Sequence, residues 1–377
     1  MKANSNVILN KEKPKRFIEC LLPVTACNLK CSYCYVIQEK RRTNQMPKFK
    51  YSPEHIGKAL SKERLGGVSY ISICGAGETL LPYESVEIIR EILKQGHYVN
   101  VTTNGTITQR FEQICSFPKE FLERLHFSFS FHYLELLKKN YIDTFFNNIK
   151  NVREAGASYI VQINLADEYI PHLEEIKQIC LENIGAYPQV AATRDEKSNK
   201  FKLLTKYTRE EYENYGKSFN SPLFDFTMKN FMVKRKEFCY AGDWSFILDL
   251  STGVARRCYN DRYSQNIFEN INKPIEFKAI GNDCRSQFCV NSSHFMSLGI
   301  IPSIETLTYQ KLRNREEADW TSEKMNTFLN SKLYESNKIY PSFKKLNANL
   351  NSKKDLPIRV LKKIKREFSK ILKEKSK

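Results

Sequence analysis

Residues 17–35 read FIECLLPVTACNLKCSYCY. The first six form a short apolar run of strand length. Directly after it come Cys27, Cys31 and Cys34, separated by three and two residues. Such short spacings let one loop curl so that three thiolates converge on a single metal centre. Structural zinc asks for four ligands, and no His or fourth Cys lies close by in the sequence. Three thiolates on a four-iron cube leave one iron open, and an open metal position is what a catalyst needs. Zinc stays as the competing assignment for this loop.

Outward from that loop, short β-rich apolar runs alternate with helical patterns as far as about residue 193. This is the signature of parallel βα units rather than of a sandwich. The pattern predicts strands over 17–22, 68–74, 98–103, 125–131, 159–165 and 189–193. It predicts helices over 53–64, opened by Ser52 with Pro53 in the first turn, and over 83–95, closed by Gly96. Loops after each strand then gather on one face, where a barrel places its chemistry. Six units are too few for a complete eight-stranded barrel, so the expectation is an open, partial (βα)6 barrel of the TIM type over 1–195. A polar, Tyr/Lys-rich linker with one helix follows over 196–231. A cysteine-bearing region over 232–297, a helical region over 298–350 and a basic tail over 351–377 complete the chain.

With 377 residues and 41% hydrophobic content, including 24 Phe and 20 Tyr, there is ample material for a core, which excludes general disorder. No run of about 18 uncharged apolar residues occurs, and the amino terminus lacks the apolar centre of a secretory signal. The expectation is a cytoplasmic protein, where eleven cysteines serve metal binding or catalysis rather than a disulfide framework. The net charge of +18 is segmental: residues 351–377 alone hold 11 Lys+Arg against 3 Asp+Glu. Val360, Leu361, Ile364, Phe368, Ile371 and Leu372 fall on one helical face among those lysines. An amphipathic basic helix of this kind either packs weakly on its own domain or makes peripheral membrane contact, with nucleic acid a weaker third reading.

The Cys27, Cys31, Cys34 loop after a first barrel strand resembles the mark of the radical S-adenosylmethionine (SAM) superfamily. The resemblance implies a [4Fe-4S] cluster whose open iron is chelated by SAM, reductive cleavage of SAM to a 5′-deoxyadenosyl radical, and an electron donor such as flavodoxin or ferredoxin. Further motifs agree. Gly75-Ala76-Gly77-Glu78 is similar to the family's Gly-Gly-Glu-Pro segment, which binds the SAM amino group, although Ala76 and Thr79 depart from the usual Gly and Pro. Asn104, in Thr103-Asn104-Gly105, looks like the polar turn under the cofactor. Ser130 matches the segment that reaches the SAM ribose, with His132 where Asp is common. By position, Asn164 and Arg194 are candidates for the SAM carboxylate and ribose, and Tyr33 for packing near adenine. Cys20, Cys74, Cys115 and Cys180 read as small core residues.

The second region carries Cys239-x18-Cys258-x25-Cys284-x4-Cys289, with Gly253 five residues before Cys258. Strands over 245–250 and 254–258 would turn back at that glycine as a hairpin and bring the first two thiols together. This spacing resembles the auxiliary-cluster extension called SPASM, or its shortened form, twitch. The resemblance implies a second [4Fe-4S] cluster, fully coordinated by four protein thiolates. A four-Cys zinc site is the alternative for the region taken alone.

The function expected from the resemblance is that of an oxidoreductase taking a hydrogen atom from a small or carrier-linked substrate, such as a sugar. The barrel begins near Phe17, which leaves no room for a leader-peptide recognition domain, so peptide or protein modification stands second. A zinc-stabilised nucleic-acid-binding protein is the alternative from another class.

Overall fold

The computed structural model of the protein describes residues 12–197, 202–282 and 284–354. Strands β1 (Arg16–Leu22), β2 (Ser69–Gly75), β3 (Tyr98–Thr103), β4 (Leu125–Ser130), β5 (Ser158–Leu165) and β6 (Gln189–Ala192) lie side by side in chain order, all parallel. This is the open, partial barrel that the alternating pattern predicts. The helix expected over 53–64 is broken in two, Pro53–Ala59 and Lys62–Leu65. The Leu60 carbonyl accepts His97 Nε2 at 2.6 Å, and the Ser61 side chain accepts the Arg64 N–H, so a new helical turn starts there. The helix Glu84–Lys94 ends as expected at Gly96, whose φ of +80° suits a left-handed terminator. The linker over 196–231 holds two helices, Arg209–Lys217 and Pro222–Asn230, preceded by a two-stranded ribbon of β7 (Arg194–Asp195) and β8 (Lys202–Leu203).

The cysteine-bearing region does not stand apart from the barrel. Its strand β9 (Ser245–Asp249) pairs in parallel with β1, Phe17 opposite Ser245 and Leu21 opposite Asp249. Strands β10 (Val254–Arg256) and β11 (Ser264–Asn266) continue antiparallel, giving a nine-stranded sheet in the order β11-β10-β9-β1-β2-β3-β4-β5-β6. Gly253, at φ +77°, makes the turn between β9 and β10, as its place in the sequence predicts. The predicted amphipathic helix of the basic tail, from Pro357 onward, lies outside the described residues.

Side chains alternate across the barrel strands. Ile18, Cys20, Ile71, Ile73, Val99 and Val101 lie on one face in the main core, buried to within 1%. On the other face Glu19, Ser72, Asn100 and His126 sit opposite one another in register. Asn100 donates to Ser72 Oγ, its Oδ1 accepts from Ser128 Oγ, and His126 Nδ1 lies 3.0 Å from that same oxygen and 3.1 Å from the Tyr70 hydroxyl. The carboxy-terminal region enters this space. His294 stacks on Phe17, Tyr309 meets Tyr70 edge-on, Asn291 Nδ2 donates to Glu19 Oε2 at 3.1 Å, and Arg313 Nη2 donates to Gln162 Oε1 at 3.3 Å. Phe17 and Tyr70 belong to the starts of their strands, so this plug fills the end away from the cysteine loop.

Burial pushes Glu19 from an ordinary 4.5 up to about 8, with Arg313 pulling weakly the other way. The raised value means that ionising Glu19 costs the folded state. Its contribution is favourable below about pH 4.5, erodes as pH rises toward 8, and is lost above that. Glu19→Gln should therefore gain stability relative to the parent between pH 4.5 and pH 8, by up to a few kcal/mol at about 1.4 kcal/mol per unit. Urea unfolding of both proteins at the two ends of that range checks this; a difference that does not change with pH would refute it.

Candidate active site

The three thiols of the first loop are held by contacts from four strands' ends. Backbone N–H groups of Ala76, Gly77 and Glu78 donate to the carbonyls of Leu22, Val24 and Ala26, so the segment after β2 zips onto the segment that leads into the loop. A Cβ on Gly77 would lie 2.0 Å from the Ala26 carbonyl oxygen, which explains the glycine by backbone approach within the protein. Glu78 is buried, and all three of its bonds run to this frame. Its Oε1 accepts from Thr103 Oγ1 at 2.6 Å and from Leu80 N at 3.0 Å, and its Oε2 accepts from Asn104 N at 2.7 Å. Asn104 in turn donates through Nδ2 to Asn28 Oδ1 at 2.8 Å and toward Cys27 Sγ at 3.8 Å. The Leu29 N–H also points at Cys27 Sγ, at 3.4 Å.

Tyr33 is buried, and its hydroxyl lies 2.7 Å from His132 Nδ1 and 2.9 Å from the Tyr169 hydroxyl. The loop is thus tied to the ends of β4 and β5. Burial lowers His132 to about 4, so its ring is neutral at ordinary pH. Ser32 donates to Glu168, the Lys30 N–H donates to Glu135, and the Arg42 guanidinium donates to the carbonyls of Cys27 and Leu29. Ser130 closes β4 opposite Gln162, and Asn164 sits near the end of β5 opposite Ala191, both half-buried. Arg194 falls on β7, just past the sixth strand. Its guanidinium pairs with Glu196 at 3.0 Å and donates to the Val290 carbonyl, next to Cys289.

Burial pushes the Cys27 and Cys31 thiols up, and each also feels its neighbours in the loop. The second set behaves alike. Burial raises Cys239 and Cys289 and brings Cys258 to about 11, with contributions from the neighbouring thiols, Cys284 among them. Cys239 is anchored by a two-way backbone bridge to Gly281, and Lys234 Nζ donates to the carbonyls of Cys284 and Ser286. Among the described residues no three His, Cys, Asp or Glu side chains converge as the ligands of one metal ion. Three thiols in one loop and four in the second region are donor sets that a four-iron cluster can take, each thiolate on a different iron. N–H groups aimed at a cluster thiolate, as at Cys27, are a recognised control on its potential.

Residues 21–178 match the radical SAM superfamily profile. The chain carries a radical SAM domain. Radical SAM domains work with SAM and a [4Fe-4S] cluster, and the residues that would hold that cluster here are Cys27, Cys31 and Cys34. Among solved structures, the chain is similar to Streptococcus suis SuiB bound to S-adenosylmethionine, with 16% identity, a TM-score of 0.49, and coverage of 69% of this chain and 64% of that one. It thus spans a little under two thirds of SuiB. It is also similar to anSMEcpe with bound AdoMet and the Cp18Cys peptide (15% identity, TM-score 0.41, 93% and 99% covered) and to BtrN in complex with AdoMet and 2-DOIA (11%, 0.32, 74% and 93%). No curated protein matches it significantly in sequence.

Sequence reasoning missed the barrel interior: Glu19, Asn100, His126, Gln162, Asn291 and Arg313. A signal was present. In strands otherwise built of Ile, Val and Phe, polar residues recur at every second position, as in Asn100-Val101-Thr102 and His126-Phe127-Ser128-Phe129-Ser130. A strand buried on both faces has no solvent reason for that alternation. Arg42, which donates to two carbonyls of the thiol loop, was missed as well.

Proposed function

We propose that the protein is a radical SAM oxidoreductase acting on a small or carrier-linked substrate, such as a sugar, held in the barrel between the Cys27 loop and a twitch-type auxiliary cluster on Cys239, Cys258, Cys284 and Cys289. The observation that carries this reading is the polar interior. At the loop end of the strands Thr102, Ser130, Gln162 and Asn164 stay half-buried and present hydroxyl and amide groups suited to a hydroxylated molecule, beyond Glu19, Asn100 and His126, which are engaged by one another or by the plug. Asn291, two residues past Cys289, donates to Glu19, and Arg194 donates to the Val290 carbonyl, so the second cysteine region reaches the barrel interior.

When bound, SAM and its cluster supply the 5′-deoxyadenosyl radical that takes a hydrogen atom from a substrate carbon. The chain's own residues then have these tasks. Tyr33, His132, Asn104 and Arg42 fix the thiol loop. Ser130, Gln162 and Asn164 orient hydroxyl groups. As an alcohol carbon becomes a carbonyl, the hydroxyl proton passes to Glu19 in its ionised form, which burial confines to pH near or above about 8, and the remaining electron leaves to the auxiliary cluster.

A second reading, peptide modification, is favoured by a surface groove of about 600 Å³ lined by Leu203, Tyr207, Phe231 and Met232, with Gln287 from the stretch between Cys284 and Cys289. An extended chain would suit it. Deuterium transfer separates the two readings. The reconstituted protein is incubated with SAM and fully deuterated cell extract, split by size into metabolites and peptides. The expected result is deuterated 5′-deoxyadenosine from the metabolite fraction; label arising from peptides alone would overturn the first reading in favour of the second.

A further inference from the structure

The helix Ser342–Lys354 is amphipathic in the inverted sense. Phe343, Leu346 and Leu350 recur at helical spacing on one face, and that face points outward: they are 68%, 59% and 50% exposed. The opposite face does the docking, and it does so through polar atoms. Asn349 Oδ1 accepts the Asn282 N–H at 2.9 Å and Asn349 Nδ2 donates to Asn282 Oδ1 at 2.9 Å. Lys345 Nζ lies 5.7 Å from the centre of the Phe238 ring, and Lys344 Nζ 3.9 Å from that of Tyr340. Ile339, just before the helix, is a further apolar side chain left 52% exposed. A water-facing helix normally buries its apolar stripe and shows its polar one. Here no described residue covers the stripe, which is left open to a partner surface.

Charge decides what that is. Besides Lys344 and Lys345, which lie over Tyr340 and Phe238, the helix sequence contains Lys353 and Lys354 and no acidic residue, Lys338 precedes it, and the sequence beyond carries the strongly cationic segment to Lys377. Apolar side chains flanked by lysines fit the boundary between headgroups and acyl chains of an anionic bilayer. Nucleic acid would be met by stacking rings, and Phe343 is the only aromatic residue on the face. We infer that the exposed Phe343, Leu346 and Leu350 face of this helix is a docking surface for an anionic lipid membrane, on which the enzyme sits peripherally. No helix among the described residues is long and apolar enough to cross a membrane. The inference does not depend on which reaction the barrel performs.

The test uses the full chain and vesicles of phosphatidylcholine alone or mixed equally with phosphatidylglycerol. The parent should float with the mixed vesicles, not with pure phosphatidylcholine, and added salt should weaken the association as expected of screened charges. The triple variant Phe343→Ser, Leu346→Ser and Leu350→Ser should bind roughly tenfold or more weakly, since three apolar anchors are removed. Its iron content and SAM cleavage should match the parent. As a second measurement, Leu346→Trp in the parent background should shift its emission to the blue on mixed vesicles. Equal flotation of parent and triple variant, a silent tryptophan, or absence of any preference for phosphatidylglycerol would overturn the inference. So would a parent dimer that the triple variant abolishes, which would make the face a contact between two copies.

Discussion

Anaerobically reconstituted protein in which Cys27, Cys31 or Cys34 is replaced by alanine forms 5′-deoxyadenosine at no more than the background rate. Each of the three thiols is needed because a cube held by two thiolates no longer has a single open iron at a fixed place. The loss is chemical and not one of folding. Removing one sulfur from a loop costs on the order of 1 kcal/mol of packing, while Glu78, Asn104, Tyr33 and Arg42 keep the loop's backbone tied to β1, β2, β3 and β4. Thermal unfolding followed by circular dichroism should show transitions within a few degrees of the parent. Normal turnover in any one of the three variants would remove the assignment of this loop.

The second large effect concerns the auxiliary set. Removing the three loop cysteines together should leave roughly four iron per chain out of roughly eight, because four protein thiolates complete a cluster without an exchangeable site. That residual absorbance should not respond to added SAM. Cys258→Ala should do the converse. Cys258 follows β10, which is joined through β9 to the edge of the barrel, and its neighbour Tyr259 packs edge-on against Phe295, which in turn meets Phe17 of β1. SAM cleavage should continue in this variant, uncoupled from product, since the radical-forming loop is intact and the exit for the remaining electron is gone. Retention of zinc in the triple variant, or equal loss of cleavage and product in Cys258→Ala, would leave the second set with a role in folding alone.

The barrel strands were legible because each is a short run rich in β-branched and aromatic residues bounded by turn residues, and runs such as Tyr98–Thr103 need no distant partner to be recognised. The cysteine loop was legible because its ligands are close in sequence. Two kinds of feature were not. The β1–β9 pairing joins Phe17 to Ser245, and nothing in either segment names the other. The interior plug likewise depends on His294, Tyr309 and Arg313 arriving from helices whose local pattern reads as ordinary surface structure. The break at Leu60 shows the same limit on a smaller scale: the periodicity over 53–64 is helical, and the hydrogen bond from distant His97 joins the local Ser61 cap in diverting the backbone.

The pairing of β9 with β1 also sets an order of events during synthesis. The amino-terminal strand emerges early, yet the strand that covers its outer edge follows on the order of ten to fifty seconds later at about 5–20 residues per second. Throughout that interval the N–H and C=O groups along one side of Phe17–Leu21 have only water for partners, in a strand with an apolar sequence and no proline. A ribosome stalled in the linker, or a gene cut at residue 195 to isolate the barrel, would therefore release a chain with a sticky border prone to self-association. Holdase chaperones would be expected to find such a nascent chain a substrate until the last third of the protein arrives.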